Sequence, residues 1–199
     1  MLLSAYMDLY ALLVMVIPCG IYLLMMGKSR HFADCAHYIL VAVFLLYLFC
    51  LFRVTGIGTI WDIGHYDRIF HWDNMSLVPF QSQGMRTYLL NILLFLPLGF
   101  LLPLLSQSYH RLGRTAVAGF LFSLSIECCQ LLNLRCSDVD DLLMNTLGAL
   151  CGYGLWFGLS RLCRREHFPS AVISPNEPKV YMLLSFFGTF FLYNPWLFW

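Results

Sequence analysis

Apolar positions run along this chain in six long blocks, each set off from the next by a shorter polar stretch. A helix rising through a hydrocarbon layer of about 30 Å needs about 20 apolar residues, and the blocks meet that length. They predict helices over Leu2–Met26, Ala36–Thr55, Tyr88–Ser106, Thr115–Leu132, Val139–Leu159 and Val180–Phe198. The first block has no Lys or Arg ahead of it and outlasts a signal-peptide core, so it reads as a retained helix. Six spans consume most of the chain. The expected architecture is therefore all-α and polytopic: one bundle of about six transmembrane helices over residues 1–199, with no separate soluble enzyme.

Composition sharpens that picture. Of 199 residues, 60% are hydrophobic and 12% charged, against roughly 25% charged in a soluble domain. Such hydrophobicity excludes a disordered chain. A net charge of +1 offers no basic excess for nucleic acid. Eight cysteines suggest neither a disulfide framework nor a zinc site. Cys19, Cys50, Cys128, Cys129 and Cys151 lie inside apolar runs, where the thiol behaves as a small hydrophobe. Cys35, Cys136 and Cys163 stand near block ends without C-x-x-C spacing.

The cations between blocks set the expected orientation. Lys28, Arg30, Arg111, Arg114, Arg161, Arg164, Arg165 and Lys179 fall on one side, and Arg53, Arg68, Arg86 and Arg135 on the other. The positive-inside rule places the larger set in the cytoplasm and both termini outside. The segment 56–87 then becomes an extracytoplasmic loop. Its pairs His65–Asp67 and His71–Asp73 offer nitrogen and oxygen ligands, but nothing fixes four of them in tetrahedral reach. With Trp61 and Trp72 it reads instead as an interfacial stretch, aromatic rings at headgroup depth and charges in water. No metal and no cofactor is expected.

Polar groups inside the spans are costly in hydrocarbon, and each calls for a reason. Ser123, Glu127 and Gln130 recur at i, i+4, i+7 and so share one face of the fourth span. Asp138, Asp141 and Asn145 form a matching stripe at the start of the fifth, continued by Gly148 and Gly152. Gly148-x-x-x-Gly152 and Gly154-x-x-x-Gly158 both remove bulk and admit a neighbouring helix. A connection of a few residues makes the two spans an antiparallel hairpin with Arg135 above the meeting stripes. The third span contributes Asn91 at its outward end, then Pro97, which frees the carbonyl of Leu93, and Gly99. Plainer roles remain open. Ser137 or Asp138 can cap the fifth helix, with Asp140 and Asp141 in its positive first turn. Gln130 and Asn145 can serve only as bonds between helices, about 0.6 kcal/mol each.

The runs Asn91-Ile-Leu-Leu-Phe-Leu-Pro-Leu-Gly99, Ser123-Leu-Ser-Ile-Glu127-Cys-Cys-Gln130 and Arg135-Cys-Ser-Asp138-Val-Asp-Asp141-Leu-Leu-Met-Asn145-Thr-Leu-Gly148 resemble the VanZ family. Its pattern has an N-x-x-x-F-x-P-x-G helix, an S-x-x-x-E-x-x-Q helix and an R-x-x-D-x-x-D-x-x-x-N-T-x-G entry to the next. Leu77-Val78-Pro79-Phe80 resembles the family's N-L-x-P-F element, with Ser76 where Asn is usual. The resemblance covers roughly residues 76–153; the first two spans, the His/Asp loop and the last span lie outside it. It implies a multi-pass protein of the bacterial cytoplasmic membrane. The family's best-known member lowers susceptibility to teicoplanin and related lipid-bearing glycopeptide antibiotics without remodelling the peptidoglycan terminus those drugs bind. The name thus carries a phenotype, with no defined reaction.

Two mechanisms follow. In the first, an outward cleft between the third, fourth and fifth spans binds an envelope lipid or lipid-linked precursor. Arg135 holds an anionic group by forked hydrogen bonds, Asn91, Ser123, Gln130 and Asn145 pair with the headgroup, and Asp138 and Asp141 border it. A lipoglycopeptide is a further possible partner. In the second, Glu127 is a general acid or base, since an acid in apolar surroundings is disposed to keep its proton. Asp138 and Asp141 then hold a divalent cation for chemistry on a lipid-linked substrate. No P-loop, nucleophile motif or H-E-x-x-H supports the second.

Overall fold

The computed structural model describes residues 2–27, 35–66, 69–70, 75–76, 78–80, 84–162 and 174–198. Lys28, Arg30, Asp67, Arg68, His71, Trp72, Asp73, Leu77, Cys163, Arg164 and Arg165 lie outside them. Six helices form: α1 (Leu2–Gly27), α2 (Cys35–Thr55), α3 (Met85–Leu105), α4 (Leu112–Gln130), α5 (Val139–Leu162) and α6 (Glu177–Phe187). With the turns that extend α2 and α6, all six are long and apolar enough to cross a membrane. Large apolar side chains stand on the outside of the bundle, Ile17, Ile21 and Leu24 along α1 among them. Water would penalise such a surface; lipid does not.

The last span departs from the expected single helix. It begins earlier, at Glu177, and after Phe187 widens into a π-helical turn, Gly188–Leu192. Gly188 lies against α1 so closely that a Cβ would come within 2.5 Å of the Val14 carbonyl oxygen. By contrast α3 runs unbroken through Pro97 and Pro103.

Phe44, Leu48 and Leu51 of α2, Phe95, Leu98 and Leu102 of α3, Ile126 of α4 and Tyr181 of α6 fill the centre. Hydrocarbon outside is as apolar as this core, so close contact, not removal from water, holds the helices together. The tightest approach is between α3 and α5. A Cβ on Gly99 would fall 1.8 Å from the Ala149 carbonyl oxygen, on Gly148 2.3 Å from that of Ile92, and on Gly152 2.0 Å from that of Leu96. Gly154 and Gly158 meet nothing within 4 Å. Of the two glycine motifs, only the first therefore packs against another helix among the described residues.

At the end of the bundle where α2 and α4 finish and α3 and α5 begin, two short strands pair in parallel. Strand β1 (Met75–Ser76) lies beside β2 (Ser137–Asp138), with Ser76 opposite Asp138. The loop before α3 is thereby stitched to the entry of α5. Its aromatic part docks on the end of the chain: the His65 ring stacks on Trp196 at 4.2 Å, and Trp196 Nε1 donates to Asp62 at 3.2 Å. Trp61 Nε1 donates to the Phe191 carbonyl at 3.0 Å.

Candidate functional site

The two polar stripes meet between α3, α4 and α5. Glu127 is only 7% exposed. Its Oε2 accepts from the Ser137 hydroxyl at 2.9 Å and from the Asp138 amide at 3.1 Å. One turn earlier in α4, Ser123 Oγ accepts from Asn145 Nδ2 at 2.9 Å. Asp141 accepts from Asn91 Nδ2, tying α5 to α3. Six of the expected residues, Asn91, Ser123, Glu127, Asp138, Asp141 and Asn145, thus line one seam, with Asp138 at its head. The Asn145 amide oxygen, on a side chain 3% exposed, has no partner among the described residues.

Gln130 and Arg135 turn elsewhere. Gln130 closes α4, and its amide donates to the Thr55 carbonyl of α2 at 2.7 Å, leaving its own oxygen buried and without a partner among the described residues. Arg135 donates to the Val54 carbonyl at 3.3 Å and lies over Gly56, where a Cβ would meet its guanidinium at 2.5 Å. Gly56 also sits at φ 59°, a conformation that glycine adopts without strain. Asn133 completes this edge, donating to the Gly56 carbonyl at 3.1 Å. Where a single cleft was expected between Asn91, Glu127 and Asn145, these side chains pair with neighbours on α4, β2 and α5, and among the described residues the Asn145 amide oxygen is left without a partner.

Asp138 acts as the cap of α5. Its Oδ1 accepts from the Asp140 amide at 2.9 Å, satisfying one of the first-turn donors a helix leaves open. Asp140 does more than its place in a positive first turn suggested. It is fully buried, accepts twice from the Phe80 amide at 2.9 Å, and accepts from the Tyr88 hydroxyl at 2.8 Å. Phe80 adopts φ 64° to present that amide, and its ring meets Tyr88 edge-on at 6.0 Å. The Pro79-Phe80 element and Asp140 are thus two halves of one pin. The consecutive acids at positions 140 and 141 were the available sequence signal, and helix-end electrostatics accounted for both equally well.

At this end of the bundle, open space lies beside α2 and the turn after α4. A cavity of about 380 Å³ is walled by α1, α2 and the loop that follows it, the turn after α4 and the turns after α6. Arg53, Asp62, Tyr66, Asn133, Arg135 and Tyr193 supply its polar lining. Arg53 is paired with Asp8. Arg135 has no carboxylate within ion-pair distance among the described residues. Burial and the nearby Asp62 carboxylate hold the Tyr66 phenol above its ordinary value. The cavity lining therefore combines two guanidinium groups and two phenols with the Asp62 carboxylate and the Asn133 amide.

Among the described residues, no group of three His, Cys, Asp or Glu side chains is placed to share a metal ion. No curated protein and no solved structure matches the chain. The sequence pattern of the VanZ/LLP1 family matches residues 44–162. That stretch reaches behind Ser76 to take in the second half of α2 and the aromatic loop, which the motifs alone had left outside; α1 and α6 stay beyond it. The seam, the Phe80–Asp140 pin and Arg135 all fall within the matched residues, and the chain belongs to the VanZ/LLP1 family of multi-pass membrane proteins.

Proposed function

We propose that this protein binds the anionic headgroup of an envelope lipid or lipid-linked precursor at the outer face of the bacterial cytoplasmic membrane, with both termini outside. By occupying or redistributing that lipid it reduces access of teicoplanin-type lipoglycopeptides. The observation that carries the reading is Arg135, facing a cavity of about 380 Å³ with Arg53 and no carboxylate partner of its own among the described residues. A planar guanidinium matches phosphate or carboxylate through paired hydrogen bonds. The volume falls in the usual range for small-molecule sites, about 300–1,000 Å³. The seam of Asn91, Ser123, Glu127, Asp138, Asp141 and Asn145 then serves as the frame that fixes the end of α4 and the Arg135 turn. Asp62, Asn133 and Tyr193 take the remaining polar groups of the guest.

Arg135→Lys tests this reading, because it keeps the charge and removes the fork. Lipid co-purifying with the full chain, identified by mass spectrometry, should fall by about tenfold or more in Arg135→Lys, and drug protection should fall with it. Unchanged lipid in a folded Arg135→Lys protein overturns the headgroup site. A second reading, catalysis on a lipid-linked substrate by Glu127 with Asp138 and Asp141, draws on the buried Glu127 carboxylate at the Asp138 amide. Glu127→Gln keeps the shape and removes the ionisable proton. Full protection in folded Glu127→Gln excludes acid–base chemistry and leaves binding intact.

A further inference from the structure

At the end of the bundle opposite Arg135, α4 and α6 diverge, and a groove of about 1,100 Å³ opens between them. Arg111 and Arg114 at the start of α4 and Lys179 in the first turn of α6 stand at its mouth. Below them the walls are apolar: Val117 and Leu121 on one side, Leu183 and Phe187 on the other. No Asp or Glu lines the groove among the described residues, and none lies within ion-pair distance of the three cations. The mouth is also the N-terminus of α4, where no side chain caps the free amides and the helix dipole adds positive potential. Ser125 marks the far end of the groove on α4. From Arg114 to Ser125 the helix advances about 16 Å at 1.5 Å per residue, close to the roughly 15 Å depth of one hydrocarbon leaflet.

Three cations with no ion-pair partner among the described residues, above an apolar trough one leaflet deep, describe the shape and charge of a lipid with a negative head. We propose that this groove holds an anionic glycerophospholipid of the leaflet at that end. Its phosphate lies between Arg111, Arg114 and Lys179, and an acyl chain lies along Val117, Leu121 and Phe187. Any recess in a bilayer fills with lipid chains; the specific claim is selection for the negative headgroup. The site is separate from the Arg135 cavity, on the opposite face of the membrane, and uses α6, which lies outside the family-matched residues.

Native mass spectrometry of the purified full chain, offered phosphatidylglycerol and phosphatidylcholine with matched acyl chains, tests the assignment. Phosphatidylglycerol should be retained at least tenfold over phosphatidylcholine, and the preference should shrink with salt. A cation beside an anionic headgroup strengthens attraction about fivefold, so Lys179→Gln should cut the preference by about that factor. The combined Arg111→Gln, Arg114→Gln, Lys179→Gln variant should abolish it. Arg114 also donates to the Ser108 carbonyl at 3.1 Å, so the single Lys179→Gln variant decides the question if the combined variant misfolds. Ser125→Phe, which fills the floor, should reduce retention of both lipids. Equal retention of the two lipids by the unaltered chain, or an unchanged preference in Lys179→Gln, overturns the proposal. So does a dimer that shields Leu121 and Leu183, since a second copy would then be the occupant.

Discussion

Asp140 carries an ionisable carboxylate with no solvent contact, and the two donors it accepts from, the Phe80 amide shared between its oxygens and the Tyr88 hydroxyl, explain how it is tolerated. Removing a buried acceptor leaves its donors unpaired, at about 1–3 kcal/mol each. Asp140→Ala strands the Phe80 amide and the Tyr88 hydroxyl and should cost about 2–4 kcal/mol. Tyr88→Phe removes one donor together with its demand and should cost about 1 kcal/mol. Thermal melts of the solubilised protein check the order; an Asp140→Ala melt equal to that of the unaltered chain would mean the pin does not support the entry of α5. The same residue shows what the sequence could not disclose. That positions 138–141 begin a helix was readable from their acids, as the Asp138 cap confirms. That one of those acids reaches a loop 60 residues earlier was not, because no local pattern encodes which distant amide a carboxylate will find.

At the scale of the helix, periodicity gives an angle about the helix's own axis and leaves the neighbour unspecified. Ser123 and Glu127 do face α5 and its entry, as their spacing predicted. Gln130 has the same angular warrant, yet α4 ends at that residue and its amide reaches α2. The glycines repeat the lesson. Gly148-x-x-x-Gly152 and Gly154-x-x-x-Gly158 have equal spacing, but six residues do not bring a helix of 3.6 residues per turn back to the same face, and only the first motif meets α3. Gly152→Ala would place a methyl 2.0 Å from the Leu96 carbonyl oxygen, backbone against backbone, so the helices must part. Overpacking of that kind costs about 1–3 kcal/mol. Gly154→Ala meets open space and should be neutral or stabilising by about 0.5–1 kcal/mol, since alanine is the better helix former. Melts of the two variants side by side make the comparison. Equal losses would mean that the second motif packs too, against another copy.

For the whole molecule the decisive quantity is which end faces out. Contacts tie the ends of α1, α2 and α6 into one layer: Tyr10 donates to the Leu192 carbonyl, Arg53 pairs with Asp8, and Trp196 holds Asp62. The Arg135 cavity is in that layer, and the Arg111–Arg114–Lys179 groove is at the other end. Among the described residues, Arg111, Arg114, Arg161 and Lys179 lie at the groove end, against Arg53, Arg86 and Arg135 at the cavity end. That balance is narrow; the wider margin comes from Lys28, Arg30, Arg164 and Arg165. Labelling with a membrane-impermeant maleimide, in a chain carrying Cys35→Ser, Cys136→Ser and Cys163→Ser, settles the direction. Ile63→Cys, exposed beside the cavity, should label in intact cells, and Gln107→Cys, in the turn before α4, only after permeabilisation. The opposite result would put Arg135 in the cytoplasm, beyond the reach of an extracellular glycopeptide. The headgroup reading would then have to be recast for a lipid of the inner leaflet, and the α4–α6 groove would become the surface open to the outside.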